Sequence, residues 1–168
     1  PEESREFFIQ SYRHFRAGSD RIGKFLACCG VLESYVYTYG ELTEVLNWVD
    51  QVQDLIQEDP TFPSPEIEAR VLFASFTALM WRRFDDPRVP VWKDRILSLL
   101  PKIPDLGRRG LVGLQVATYY CWKGELSQSL SIVQMLLDGV PASSRQPLFR
   151  LPLYLAEACL GWSMGNLD

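Results

Sequence analysis

Apolar residues recur every three or four positions along almost the whole chain, and no segment alternates between apolar and polar residues. The first spacing is that of one face of an α-helix, whereas an exposed β-strand would alternate with period two. Glycine and proline residues divide the pattern into segments of helical length. The sequence therefore predicts an all-α protein with helices over about residues 3–16, 20–38, 41–58, 65–84, 91–100, 105–123, 125–137 and 144–164.

Local signals mark several of the predicted helix ends. Ser64 and Pro65 supply an N-cap and a proline at the first helical position. Gly18 is expected to stop the first helix, and Asp20 to cap the second. The second helix is rich in small residues, which predicts close approach by a neighbouring helix: Ala27, Cys28, Cys29, Gly30 and Ser34.

Gly107, Gly110 and Gly113 lie three residues apart, a spacing that looks superficially like a phosphate-binding loop. No predicted strand precedes them, and glycines at this spacing also give a helix a smooth face. Packing between helices is therefore the stronger interpretation.

A repeat of about 42 residues runs through the chain. The segment 39–49 aligns with the segment 123–133, with a shared Gly-Glu-Leu followed by matching Leu and Val residues. Gly40 and Gly124 are 84 residues apart, and Gly165 follows 41 residues later. The middle turn, expected near residue 82, lacks its glycine. Each period predicts a helix, a tight turn, a second helix and a proline-bearing link.

Such helix pairs cannot bury their apolar faces alone, so they stack. The sequence predicts a right-handed α-solenoid of antiparallel helix pairs, with a concave groove and a single domain over residues 1–168. Its repeat units cover about residues 20–60, 64–102, 105–140 and 144–168, the last one incomplete. We therefore expect an excised fragment of a longer protein, with a disordered tail after Asp168 as the alternative.

Composition narrows the classes of function. The chain is 47% hydrophobic and 23% charged with a net charge of -4, which is typical of a soluble globular domain. Its basic residues are dispersed, which argues against a direct nucleic-acid partner. No apolar stretch is long enough to span a bilayer, and Pro1 to Ser4 do not follow the pattern of a signal peptide, so we expect a cytoplasmic protein without a membrane partner. Four sparse cysteines indicate reduced thiols.

Little in the sequence points to catalysis. His14 is the single histidine, and no cluster of His, Cys, Asp and Glu follows the spacing of a metal site or a catalytic triad. Asp85 and Asp86 directly precede Pro87, a pattern typical of a turn and cap. We predict no metal, no cofactor and no enzymatic activity.

The segment from Tyr120 to Leu130 reads aromatic-x-x-x-Gly-x-Leu-x-x-Ser-Leu and resembles the turn of tetratricopeptide repeats. Repeats near 40 residues with Trp and Tyr at helix ends also resemble the helical repeat region of ATP-dependent bacterial transcriptional regulators of the MalT/LuxR type. This resemblance covers about residues 20–168 and implies a role in bacterial signalling or transcription regulation. The chain has no phosphate loop and no recognition helix, so ATP hydrolysis and DNA binding are assigned to none of its residues.

We expect a non-catalytic scaffold that binds a protein or peptide segment, or a small effector, in its groove, with self-association as a further mode. The alternatives are a free-standing tetratricopeptide-like adaptor and a small helical enzyme. The candidate groove residues are aromatics near helix ends and arginines suited to carboxylates: Tyr35, Tyr39, Arg82, Arg83, Arg108, Arg109, Tyr119, Trp122, Arg150 and Tyr154. Core packing is the alternative role for most of the aromatics, and a solvated surface position for any single arginine.

Overall fold

A computed structural model describes residues 2–36, 44–138, 154, 156–158, 160–161 and 163–165 of the chain. Throughout this part the regular elements are helices, which confirms the predicted all-α class. They are α1 (Glu2–Ala17), α2 (Arg21–Val36), α3 (Val45–Glu58), α4 (Pro65–Arg82), α5 (Arg88–Leu99), a short 3-10 helix (Leu100–Lys102), α6 (Leu106–Trp122) and α7 (Leu126–Asp138). Most of the predicted last helix lies outside the described residues.

The chain divides into two compact units, Pro1–Trp92 and Lys93–Asp168. The first contains α1 to α4 and the start of α5, and the second contains the rest of α5, the 3-10 helix, α6 and α7. The single stacked domain inferred from the repeat remains a prediction.

The α1–α2 hairpin begins the first unit, and aromatic rings of α1 pack against glycines of α2. A Cβ added at Gly23 or at Gly30 would overlap the ring of Phe15 or of Phe8. Both pairs are separated by seven residues along each helix, so one antiparallel register places both rings. The close approach predicted from the small residues of α2 is confirmed.

Helix α2 also packs against α3 and α4, and α3 packs against α4. Val45, Val49, Val52 and Leu55 of α3 are all buried, which agrees with the three- and four-residue spacing of apolar residues from which the helices were predicted. At the start of α4, the Ser64 hydroxyl accepts a hydrogen bond from the Ile67 amide at 3.3 Å, which confirms the predicted N-cap.

In the second unit, α6 and α7 form a hairpin around small residues. A Cβ at Gly113 would lie 2.5 Å from Leu136 Cδ1, so this glycine admits the α7 side chain, in agreement with the packing interpretation of the glycine-rich segment. The Ser129 hydroxyl donates to the Ala117 carbonyl at 2.7 Å inside the same interface. This contact explains why a small polar residue suits the Ser position of the turn motif.

The α6–α7 turn depends on Gly124, which has a φ of +76°. The Glu125 amide donates to the Tyr120 carbonyl at 2.9 Å and the Gly124 amide to the Cys121 carbonyl at 3.0 Å, which together close a Schellman turn. Gly165, one period later, has a φ of +78°. Two of the three glycines that define the repeat therefore share one backbone conformation.

Two helix boundaries differ from the sequence-based expectation. Helix α1 ends with Ser19 in the left-handed region, at a φ of 61°, so Ser19 rather than Gly18 provides the turn. Helix α5 begins at Arg88 instead of near residue 91. Pro90 lies in its first turn, where a backbone N–H has no intrahelical acceptor and proline is tolerated.

Candidate functional site

Two tryptophans occupy matching, exposed positions at the ends of α4 and α6. Thr77 and Trp81 in α4, and Thr118 and Trp122 in α6, form the same Thr-x-x-x-Trp pattern, and the two patterns are 41 residues apart. Trp81 is 41% exposed and Trp122 is 49% exposed. Large apolar side chains that remain this exposed contribute less to folding than buried ones and are suited to binding.

A basic residue follows each tryptophan: Arg82 after Trp81, and Lys123 after Trp122. Arg82 is exposed and forms no ion pair within the described part of the chain. Lys123 pairs with Glu125 at 2.8 Å on the surface. We call these two sets, Trp81 with Arg82 and Trp122 with Lys123, the Trp–cation sites.

Helix α6 extends its site into a longer surface, which we call the α6 outer face: Arg108, Leu111, Gln115, Thr118 and Trp122. These residues follow helical spacing, and Arg108, Leu111 and Trp122 are exposed. The face carries a cation at one end and an indole at the other, with an exposed leucine between them. It can therefore pair with apolar and acidic groups at the same time.

Neighbouring arginines have different roles. Arg109 Nε donates to the Ile103 carbonyl at 2.9 Å and so holds the segment before α6. The backbone amide of Arg108 donates to Asp105 Oδ1 at 2.6 Å, while its side chain is left exposed. Arg83 is exposed, and its amide donates to the Leu79 carbonyl at the end of α4. Among the predicted arginines, Arg82, Arg83 and Arg108 therefore present their side chains to solvent.

The predicted tyrosines are placed differently from the tryptophans. Tyr35 is buried, its hydroxyl donates to Glu44 Oε2 at 2.6 Å, and the Arg5 guanidinium lies 3.7 Å from its ring centre. Tyr119 is also buried and packs edge-on against Tyr120. Tyr154 is half exposed.

Tyr39 and Arg150 lie outside the described residues. Of the predicted site residues, Arg108 and Trp122 share the α6 outer face. Trp81 was not among the candidates, and the 41-residue spacing of the two Thr-x-x-x-Trp patterns is the signal that identifies it.

The buried cysteine thiols of the first unit pack in the core and are not placed for chemistry. Cys28 and Cys29 are fully buried in α2, and burial raises the pKa of both thiols, to about 12 for Cys28. Thiols held protonated in this way are poor nucleophiles. Over the described residues, no three His, Cys, Asp or Glu side chains lie close enough together to hold a metal ion. None of the described helices has the length and apolar character needed to cross a bilayer.

Comparison of the chain with protein-family models, with curated proteins and with solved structures finds no match. The resemblance to MalT/LuxR-type repeats therefore remains a prediction that rests on the turn motif and the repeat length. Arguments about function start from the exposed residues themselves.

Proposed function

We propose that this chain is a non-catalytic protein-interaction scaffold that binds a segment of another protein through its Trp–cation sites. One observation carries the proposal: two indoles at equivalent positions of the repeat, Trp81 and Trp122, are both strongly exposed and each is followed by a cation. Trp and Arg are the residue types that most often dominate the energy of protein interfaces.

The chemistry of the sites defines the partner. Each indole offers a partly exposed apolar surface. Arg82 beside Trp81 favours a carboxylate, and Lys123 beside Trp122 can exchange its surface pair with Glu125 for one with the partner. The chain as a whole has a net charge of -4, so local cations are needed to attract an acidic segment. We infer a partner segment with leucine or aromatic side chains next to Asp or Glu.

The proposal also includes three expectations from the sequence: a solenoid arrangement, a cytoplasmic location and a place in a bacterial regulator. Stacking of helix pairs into a solenoid is supported by the packing of α2 against both α3 and α4, because stacked repeats bury each pair against the next. The right-handed sense of the solenoid rests on the repeat pattern of the sequence alone. Buried free thiols at Cys28 and Cys29 fit a cytoplasmic, reducing compartment. A place in a bacterial signalling or transcriptional regulator is supported by the turn motif, and a free-standing adaptor is the alternative.

The test is selection of a random-peptide display library on the immobilised full chain. The recovered peptides are expected to combine Leu or an aromatic residue with Asp or Glu, and to lose affinity about tenfold or more with Trp81→Ala or Trp122→Ala. Phe7→Ala is the matched control, because Phe7 is 69% exposed on α1 and belongs to neither site. All variants must retain the wild-type circular dichroism spectrum and melting temperature.

Two results contradict the proposal. One is a selection that enriches no shared pattern over a blank surface. The other is a set of peptides whose affinity is unchanged in both tryptophan variants, or falls equally with Phe7→Ala, because binding would then depend on general hydrophobicity.

A further inference from the structure

A cleft of about 210 Å³ opens within the first unit, separate from the Trp–cation sites. The end of α1, the first turn of α2 and the second half of α3 all contribute side chains to it. Its volume is below the roughly 300–1,000 Å³ of pockets for drug-sized ligands, so it suits a compact molecule.

One wall of the cleft is fixed by buried residues. Tyr12 and Leu55 are buried, and the Tyr12 hydroxyl donates to Gln51 Oε1 at 2.9 Å. Trp48 packs edge-on against the Tyr12 ring with a centroid distance of 5.3 Å. Tyr12 donates its one proton to Gln51, so its oxygen remains an acceptor for a ligand, and the Gln51 amide keeps its N–H donors. Burial raises the pKa of Tyr12, so the hydroxyl stays protonated at neutral pH.

The remaining lining residues are two cations and two carboxylates. Arg16 comes from α1 and Lys24 from α2, while Asp54 and Glu58 are one helical turn apart on α3. Within the described part of the chain none of these four charges forms an ion pair, although Arg21 and Asp59, close by in sequence, pair at 3.2 Å.

Three of the four charges act on the same hydroxyl. Burial is the largest cause of the raised pKa of Tyr12; Arg16 lowers this pKa, while Glu58 and Asp54 raise it. Charges of both signs therefore line the cleft that Tyr12 also lines. A simple anion in this cleft would be repelled by the two carboxylates, and a simple cation by the arginine and the lysine. A ligand that carries both charges is attracted by both pairs.

We propose that this cleft binds a small zwitterion of the free α-amino acid class. The carboxylate pairs with Arg16 and Lys24, and the ammonium pairs with Asp54 and Glu58. Tyr12 and Gln51, which line the same cleft, supply a hydrogen-bond acceptor and donors. This site is independent of the proposed peptide binding, since none of its residues belongs to a Trp–cation site.

The experiment is calorimetric titration of the full chain at low ionic strength with each of the twenty free amino acids. The best binder is then compared with its N-acetyl form, which lacks the ammonium, and with its amide, which lacks the carboxylate. We expect the free amino acid to bind and each blocked form to bind about tenfold more weakly or worse.

Charge-removing variants assign each contact. Glu58→Gln should weaken binding of the free amino acid but not of the N-acetyl form, an anion that this variant relieves of one repelling carboxylate. Arg16→Gln should weaken binding of the free amino acid but not of the amide, a cation that this variant relieves of one repelling charge. Arg13→Gln is the matched control, because Arg13 is exposed on α1 and does not line the cleft.

Arg16 and Glu58 are exposed, so their variants are expected to fold, and unchanged melting temperatures check this. The proposal is overturned if none of the twenty amino acids binds at millimolar concentration, or if the blocked forms bind as tightly as the free one. It is also overturned if Arg13→Gln weakens binding as much as Arg16→Gln does.

Discussion

The ring of Phe8 occupies the space that Gly30 leaves open on the facing helix, where a Cβ would overlap it. Gly30→Ala is therefore expected to lower the free energy of unfolding by about 1–3 kcal/mol, because overpacking exceeds the gain in helix propensity. Chemical denaturation monitored by circular dichroism measures the change.

Gly18→Ala is the control for this variant, because a Cβ at Gly18 would have the His14 carbonyl oxygen at an ordinary 3.7 Å. Its effect should stay within about 0.5 kcal/mol. Replacing Phe8 by Leu in the Gly30→Ala background should restore part of the lost stability, since the two residues share one contact. A Gly30→Ala variant as stable as wild type would show that the helices can separate without cost.

Gly124, in the α6–α7 turn, is required for its backbone conformation and not for space. A φ of +76° is unfavourable for any residue that has a side chain. Space is not the obstacle, because a Cβ at this position would have no neighbour within 4 Å. Gly124→Ala should therefore cost about 1–2 kcal/mol from backbone strain alone. Gly124→Asn should cost less, because asparagine tolerates the left-handed region. If denaturation gives the same loss of stability for both variants, backbone strain is not the origin of the loss.

The sequence predicted the features that depend on local pattern. The apolar face of α3, the cap at Ser64 and the turn glycine Gly124 each follow from spacing or backbone preference, and the structure shows all three. Ser19 was missed because glycine is the usual residue in the left-handed conformation after a helix, so the pattern pointed to Gly18, whereas Ser19 adopts it here.

Burial of aromatic residues could not be predicted in the same way. Periodicity places Tyr119 and Trp122 on α6, but the packing of neighbouring elements decides which of them is covered. The partner of Arg109 is a backbone carbonyl, Ile103, which no residue pattern indicates. The charges of the unit 1 cleft come from three helices, so only the tertiary structure brings them together.

The buried thiols predict a pH dependence of stability. An unfolded cysteine ionises near pH 8.5, but burial raises the pKa of Cys28 to about 12 in the folded chain. As the pH rises above about 8.5, the unfolded chain loses this proton first, so stability should fall, by up to about 1 kcal/mol per pH unit for each thiol. Denaturation between about pH 7.5 and 9.5 stays below most tyrosine ionisation.

Cys28→Ala should reduce this slope, because one of the two buried thiols is removed. In a chain with Cys121→Ser and Cys159→Ser, alkylation of the remaining two cysteines should require unfolding. Rapid alkylation under native conditions would contradict the burial of both thiols.

The link between α4 and α5 predicts the opposite response to pH. Arg88 donates from Nε and Nη2 to the two oxygens of Asp86, each at 2.9 Å, and the Asp86 side chain is only 8% exposed. These bonds lower the pKa of Asp86 below its ordinary value. The contribution of this carboxylate to stability is therefore complete at neutral pH and is lost as the pH falls below about 4.

Asp86→Asn should accordingly reduce the free energy of unfolding by about 1–3 kcal/mol at pH 7. The difference from wild type should shrink as the pH is lowered from about 4 to about 2, because wild-type Asp86 becomes neutral as well. Asp85→Asn is the matched control and should have little effect, since Asp85 is exposed. If the difference persisted unchanged at acid pH, the role of Asp86 would lie in the shape of the turn and its cap on the Arg88 amide, and not in its charge.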